Sequence, residues 1–503
     1  MKKSVIFILL SLVFLSASAQ YAGRWEKVDK LAKQQLPESA LKEVESIFAE
    51  ARKAENFNET VKAYIYKMRF TLVKNPDDAP SVIDSFQHFA AHYTAAEQRA
   101  LLHSMAAELY SMYYSSERYS INRRSQVVDY LPDDIRLWSK NLFFDRISEE
   151  LRLSLQDTDT LQTLTVKCFK PLITAGDNLQ QTLFDFLADR AIMILGNLHD
   201  AAMVKNPLRD TLYFLPAELF INIVSEEKYK ESAESKTVEL YRMLLDFYRK
   251  TNNIQALIDV DISRLKYVKE HSESVKADDW YRKSLELLCE TYGDRAEAVP
   301  VLAEMAGYYY TQSERGDTLR KKAYDIAQSG IKRFPKSPSG YLLQNILLTL
   351  EQKSLRVMTS EVASPASELV FLGSVANISR LEMKIYRVDA TAEEYDLFKH
   401  NEYKWRAYPK RTLVKTEELE VPVDETFYST EIEWKITTGT YGIYEFTIEE
   451  KGNKEAEQQA SGNFIVTDFT FIQRKIAQDE RNVYVLHRIT GQQIGGVEVN
   501  AVS

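Results

Sequence analysis

Ile432-Glu433-Trp434-Lys435-Ile436 alternates apolar and charged residues without a break. Successive strand side chains point to opposite faces, so Ile432, Trp434 and Ile436 share a buried face while Glu433 and Lys435 meet solvent. The same period recurs in Leu381, Met383 and Ile385 around Glu382 and Lys384, and in Tyr444, Phe446 and Ile448 around Glu445 and Thr447. Between 368 and 468 there are roughly five to seven such runs, separated by turn signals that include Gly439 and Gly452-Asn453. That size and rhythm predict an antiparallel β-sandwich. The stretch Arg356 to Ser367, with Ser360, Ser364, Pro365 and Ser367, reads as the linker into it.

Upstream the period changes to that of a helix. Leu41, Val44, Ile47, Phe48 and Ala51 form one stripe, and Leu240, Tyr241, Leu244, Leu245 and Tyr248 another. Asn58 is placed to cap the helix carrying Val61, Tyr64, Ile65 and Met68, and Thr94 with Glu97 reads as a capping box before Leu101 and Leu102. Asn75-Pro76-Asp77-Asp78 with Pro80 reads as a turn. Single-striped helices joined by short turns predict a solenoid, because a lone pair cannot bury both its faces. Ala323, Ala327, Gly330 and Pro335, followed by Tyr341, resemble the second helix of a tetratricopeptide repeat, although Gly307 stands where its first helix has a bulky aromatic. The fold class is therefore α+β multidomain: an N-terminal all-α, tetratricopeptide-like solenoid followed by antiparallel β-sandwich.

The chain has 503 residues, so at about 150 residues per domain it holds roughly three domains. Its 64 Lys and Arg against 73 Asp and Glu give a charge of -9, which gains little from counterion release and argues against nucleic-acid partners. Lys2 and Lys3, the apolar run Val5 to Leu15, and Ala17-Ser18-Ala19 reproduce a secretory signal with cleavage between Ala19 and Gln20. Export to the periplasm, outer surface or medium is expected, without a lipid anchor, because no Cys ends the signal. The run is shorter than the roughly 20 residues a spanning helix needs, and no transmembrane segment is expected. Cys168 and Cys289 are the only cysteines. One disulfide between them stays open, and buried free thiols are the favoured reading.

Motifs for chemistry are sparse. His88 and His92 share a helical spacing, but Phe89 stands where the zinc-protease motif has its Glu, so they read as a structural or solvated pair. Arg315-Gly316-Asp317 reads as a turn and cap. The clusters Tyr308-Tyr309-Tyr310 and Tyr110, Tyr113, Tyr114 read as packing between helices rather than as a binding groove. Asp133 and Asp134 read as a helix start before buried Trp138, Phe143 and Phe144. No nucleophile elbow and no phosphate loop are present, and Gly491 to Gly496 lacks the Lys and the following helix of the latter. No catalytic residue, metal site or cofactor is expected.

Val483-Tyr484-Val485-Leu486-His487-Arg488-Ile489-Thr490-Gly491-Gln492-Gln493-Ile494-Gly495-Gly496-Val497-Glu498-Val499 resembles the strand-turn-strand opening of a macroglobulin-2 (MG2) domain, through Tyr484, Thr490, Gly491, Ile494, Gly496 and Val497. Gly439-Thr440-Tyr441-Gly442-Ile443-Tyr444 and Phe464-Ile465-Val466-Thr467-Asp468 are similar to the close of one macroglobulin sandwich leading into the next. Trp25, Leu36-Pro37-Glu38-Ser39-Ala40-Leu41 and Asp133-Asp134-Ile135-Arg136-Leu137-Trp138 are similar to the helical extension of large exported α2-macroglobulin-like proteins of the Bacteroidetes. The resemblance implies protease trapping and family-level endopeptidase inhibition, with proteases as partners. The family's Cys-Gly-Glu-Gln thioester is not in this sequence, since Phe169 follows Cys168 and Glu290 follows Cys289. The implied layout is a signal at 1–19, a helical region at 20–355, a macroglobulin-like sandwich at 356–468 and the start of an MG2-like domain at 469–503. That last piece either pairs with the sandwich or opens a further domain, and the second is favoured because an apolar strand edge is avoided in finished domains. The alternative function is a solenoid that binds a glycan, in the manner of SusD, or another protein.

Overall fold

The computed structural model describes residues 21–124, 132–170, 172–173, 181–391, 410–452, 459–477 and 480–499. The chain divides into two compact units between Tyr292 and Gly293. The first unit is helical. It contains α1 (21–33), α2 (Pro37–Lys53), α3 (Phe57–Lys74), α4 (Ala79–Ala90), α5 (Ala96–Ser116), the short α6 (Arg118–Asn122), α7 (Lys140–Ser154) and the short α8 (Thr158–Leu161). It continues with α9 (Leu183–Gly196), the short α10 (Ala217–Phe220), α11 (Ala233–Lys250), α12 (Ile254–His271) and α13 (Ala277–Tyr292).

Packing follows the chain. Helix α2 lies against α3, α4 against α5, α5 against α7 and α9, α9 against α11, α11 against α12, and α12 against α13. This is the neighbour-on-neighbour arrangement of a solenoid. The stripes read from the sequence are its seams: Val44, Ile47 and Ala51 are buried with Leu41 and Phe48 packed beside them, and the α11 stripe from Leu240 to Tyr248 is buried throughout. An aromatic cluster ties α2, α3 and α4 together, with Tyr64 stacked on Phe89 at 4.0 Å and both rings near Phe48 and Phe86.

The helix starts differ in detail from the expected ones. Asn56, rather than Asn58, caps α3 by accepting the Glu59 N–H, while the half-buried Asn58 donates its amide to the Cys168 carbonyl at 2.8 Å. The Thr94–Glu97 box does not form, because extended backbone persists through Ala95 and α5 starts one residue later. A capping box forms instead at Thr182 and Asp185, each side chain accepting the other residue's N–H. Asp134 caps only the 3-10 turn Ile135–Leu137; α7 starts at Lys140, with Trp138, Phe143 and Phe144 buried as read. The turn at Asn75 is as expected, with Asn75 accepting the Asp77 N–H.

The second unit opens with α14 (Val299–Thr311), α15 (Leu319–Arg333) and α16 (Gly340–Glu351). Ala323, Ala327 and Gly330 form the close face of α15, and the helix ends two residues before Pro335. Eight strands follow: β1 (Ser354–Thr359), β2 (Val362–Ala363), β3 (Glu368–Ala376), β4 (Arg380–Val388), β5 (Arg411–Glu420), β6 (Thr430–Thr437), β7 (Gly442–Glu450) and β8 (Gln459–Val466). They form sheets of order β1-β3-β6 and β2-β8-β7-β4-β5. One core joins both sheets: Phe371, Ile432, Trp434 and Ile436 on one side, and Leu381, Met383, Ile385, Tyr444, Phe446 and Ile448 on the other. The alternation therefore buries the residues it selects.

Two expectations change. Residues 356–367 are not a linker: Arg356 pairs with Ser374 and Val362 with Ile465, so this stretch supplies β1 and β2. The β2–β8 pair is parallel, which makes the sandwich mixed rather than purely antiparallel. A separate two-stranded ribbon, β9 (Phe469–Ala477) with β10 (Glu480–His487), follows β8 directly.

Two glycines sit at close approaches of different kinds. A Cβ on Gly373 would lie 2.5 Å from the Arg356 carbonyl oxygen, a backbone atom in a paired strand. A Cβ on Gly330 would lie 2.6 Å from Leu343 Cδ1, the movable tip of a side chain. Gly330→Ala also gains about 1 kcal/mol of helix propensity. Urea unfolding is expected to show Gly373→Ala destabilised by about 1–3 kcal/mol and Gly330→Ala near wild type. Equal losses at the two sites would contradict this account of the packing.

Candidate functional site

The residues of the MG2-like motif lie on β10 and the turn after it. Tyr484 pairs with Ile472 across the ribbon. Beyond His487 the chain reverses through Thr490 and Gly491, whose φ of 69° suits glycine; Gly491 N–H donates to the His487 carbonyl, and His487 N–H to the Gln492 carbonyl, both at 2.8 Å. The returning chain bridges Leu486 to Gln493, and Ile494 N–H donates to the Val485 carbonyl at 3.0 Å. There the pairing stops. Gly496 takes a φ of 71°, which leaves the extended region, so Val497 and Val499 form no second strand, contrary to the strand-turn-strand reading. Ala19 and Gln20 lie outside the described residues.

The other singled-out residues are structural. His88 and His92 are exposed, and each Nδ1 bonds the backbone carbonyl four residues earlier. Among the described residues no group of three or more His, Cys, Asp or Glu is placed to hold a metal ion. Tyr110 and Tyr114 are buried in the first unit, as are Tyr308 and Tyr309 in the second.

The Arg315-Gly316-Asp317 turn does more than link α14 to α15. Asp317 accepts the Glu314 and Leu319 N–H groups, and Tyr428 donates to it at 2.9 Å. The Glu314 N–H is the largest cause holding its carboxyl below the usual carboxylate range. Arg315 pairs with Glu431 at 2.6 Å, and Arg320 donates to the Phe427 carbonyl at 2.9 Å while lying over the Tyr428 ring. The turn thus fastens the three helices of this unit to the β5–β6 connection.

The cysteines are both free, but only one is sheltered. Cys289 on α13 is half-buried, and burial first, then Glu286 and Glu290, push its thiol up to about 12. Cys168 is exposed on a 3-10 turn, which corrects the expectation of two buried thiols: Val166 and Phe169 take the inward positions and leave it outside.

Sequence reading missed buried polar centres in the first unit, among them those at Arg264 and Glu150. Arg264 and Asp261 are both 0% exposed. Arg264 Nε donates to Asp261 Oδ1 at 2.7 Å, its other nitrogens donate to the Tyr213 and Leu215 carbonyls, and the guanidinium lies over Phe220. Asp261 Oδ2 has no hydrogen-bond partner among the described residues; the pair borders a cavity of about 20 Å³, room for one water. The signal was an Asp-x-x-Arg pair inside the apolar run Ile258, Ile262, Leu265, where a charge is not left unpaired. The second centre is Glu150 on α7, which accepts from Gln87 at 3.0 Å, Arg146 at 2.6 Å and His103 at 2.6 Å, joining α4, α5 and α7.

No protein-family model matches the chain, and no curated protein matches it. Among solved structures, native alpha-2-macroglobulin from Escherichia coli, spanning domains MG0-NIE-MG1, is similar over 28% of this chain and 47% of its own, at 13% identity and a TM-score of 0.21. The chain thus spans about half of that relative, and a likeness of this extent sets neither fold nor activity. No helix among the described residues is long and apolar enough to cross a membrane.

Arg264→Met strands a buried carboxylate and is expected to cost about 3–5 kcal/mol in urea unfolding, whereas Arg264→Met with Asp261→Leu recovers more than half of that loss. A double variant as weak as the single one would show that the pair is not the source. In the native protein a maleimide is expected to modify Cys168 within minutes and Cys289 only after denaturation, as read by peptide mass spectrometry.

Proposed function

We propose that this chain is a non-catalytic portion of an exported α2-macroglobulin-type protein, whose family-level activity is inhibition of endopeptidases by trapping. The observation that supports the reading is the junction at 464–494. A two-sheet core ends on Phe464 and Val466, only two residues intervene, and β9 and β10 begin the next stranded piece with its Thr490-Gly491 turn. Serial β modules joined without a linker suit an assembly that moves as a connected framework around a captured protein. The helical unit adds stacked surface at its front. It has the neighbour-to-neighbour contacts of a scaffold, and its buried polar centres hold helices to one another rather than facing a substrate. In this reading proteases are the partners, the secretory signal directs export, and the piece from 469 opens an MG2-like domain.

Trapping has a distinct kinetic signature: an enclosed protease keeps its active site but loses access to large substrates. The natural full-length gene product, incubated with trypsin, elastase or subtilisin, is expected to block hydrolysis of casein and to spare hydrolysis of a small chromogenic peptide. Loss of both activities would mean active-site inhibition, and loss of neither with all three proteases would remove the trapping reading.

A further inference from the structure

Among the described residues β6 is an edge strand of the smaller sheet and β5 an edge strand of the larger, each paired on one side only. They are joined where Trp434 Nε1 donates to Glu417 at 3.1 Å. Toward the β6–β7 turn a cavity of about 310 Å³ opens between them. That volume is at the lower end of small-molecule sites, which run from about 300 to 1,000 Å³. Its inner wall is apolar, formed by Ile385, Ile436 and the stacked rings of Tyr444 and Phe464. Its rim carries Arg387 and Lys415.

Three features shape this place. First, β5 is bulged: Lys415 pairs with Ile385 and Leu413 with Tyr386, so Val414 is the extra residue, and it lines the cavity while remaining 51% exposed. A bulge on an edge strand re-aims a side chain and discourages strand addition, which favours a compact ligand over an added strand. Second, Arg387 makes no ion pair among the described residues; one contact of 3.4 Å to the Tyr441 carbonyl occupies its five-donor fork. Third, Gly442 lies beside it with a φ of 148°, a backbone conformation that favours glycine, and the place a Cβ would take is 3.5 Å from Arg387 Nε, at ordinary contact distance from the guanidinium. Lys415 is already paired with Glu417 at 2.6 Å, which leaves Arg387 as the principal anion donor.

We propose that this cavity binds a carboxylate carried on a small apolar body, with Arg387 gripping the carboxylate, Lys415 adding charge, and the Ile385–Ile436–Tyr444 wall receiving the apolar part. The site belongs to the sandwich alone and is independent of the macroglobulin reading. The same chemistry is offered by a free acylated amino acid and by the C-terminal residue of a peptide chain. Titration calorimetry of the whole chain with N-acetyl-leucine and with its methyl ester tests the carboxylate; a pentapeptide ending in leucine and its C-terminal amide test the source. The acids are expected to bind and the ester and amide to bind at least about tenfold more weakly, a difference of about 1.4 kcal/mol. Arg387→Gln with Lys415→Gln is expected to abolish that preference. Val414→Phe, which fills the cavity without altering charge, is expected to block all binding, with the thermal melt showing that both variants stay folded. A peptide acid at least about tenfold tighter than N-acetyl-leucine identifies a chain terminus as the source, and equal affinity a free small molecule. No heat from either acid at about 5 mM, equal binding of acid and ester, or wild-type binding by the Arg387/Lys415 variant would overturn the proposal.

Discussion

An element with one apolar face cannot stand alone in water, and both units of this protein are arranged by that requirement. In the helical unit the long helices bury their apolar faces against their neighbours: α11 touches α9 and α12, and α5, buried on several sides, touches α4, α7 and α9. The result is a chain of helix-to-neighbour contacts. In the second unit the period is two, and two sheets meet face to face on a single core built from Phe371, Trp434, Phe446 and their neighbours. Each fully buried side chain of this size contributes about 1.5–3 kcal/mol, so it is the shared core, not the pairing of any one strand, that fixes register. A slip by one residue would exchange Ile432, Trp434 and Ile436 for Glu433 and Lys435.

The charges inside the helical unit follow a second rule. Arg264 enters an apolar seam only because Asp261 and two carbonyls receive its donors, and Glu150 enters only because three donors on separate helices converge on it. A hydrophobic seam tolerates many pairings of similar helices. A buried carboxylate tolerates one, since misplacing any donor leaves it unsatisfied. These centres therefore select which helix meets which in a stack whose apolar stripes are alike. Asp185 works in the same way, holding the Thr182 cap and receiving the Tyr248 hydroxyl from α11 at 3.0 Å. Burial, opposed by those hydrogen bonds, raises its carboxyl above the ordinary aspartate value.

The periodic parts of this architecture were legible in the sequence, and the reasons are visible residue by residue. Val44, Ile47, Ile432 and Trp434 announce their faces because period alone decides what they bury. Helix starts were less legible: Asn56 and Asn58 are both competent caps, and which one serves depends on Asn58 finding the Cys168 carbonyl 110 positions away in sequence. The stretch 356–367 read as a linker because Ser and Pro are common there, yet Val357 pairs with Gly373 on β3 and Val362 with Ile465 far along the chain. The cavity at the rim of the sandwich was not legible at all. It exists because a bulge displaces Val414 and because Arg387, on the next strand, faces a turn closed by Gly442, and none of these is a pattern within one segment.

The ribbon of β9 and β10 departs from the one-face rule that governs the rest. Phe469, Phe471, Val483 and Val485 share one side, while Ile472, Ile476, Tyr484 and Leu486 share the other. In the sandwich, strand β6 sets Glu431, Glu433 and Lys435 opposite its apolar face, but the ribbon has no equally charged side. Phe471 is 62% exposed and Ile472, on the opposite face, 56%. A strand pair that is apolar on both faces has the pattern of a sheet interior covered by layers on both sides. Its hydrogen bonds alone do not provide for that, because an isolated two-stranded hairpin is marginal in water. The ribbon's chemistry is therefore that of core rather than surface.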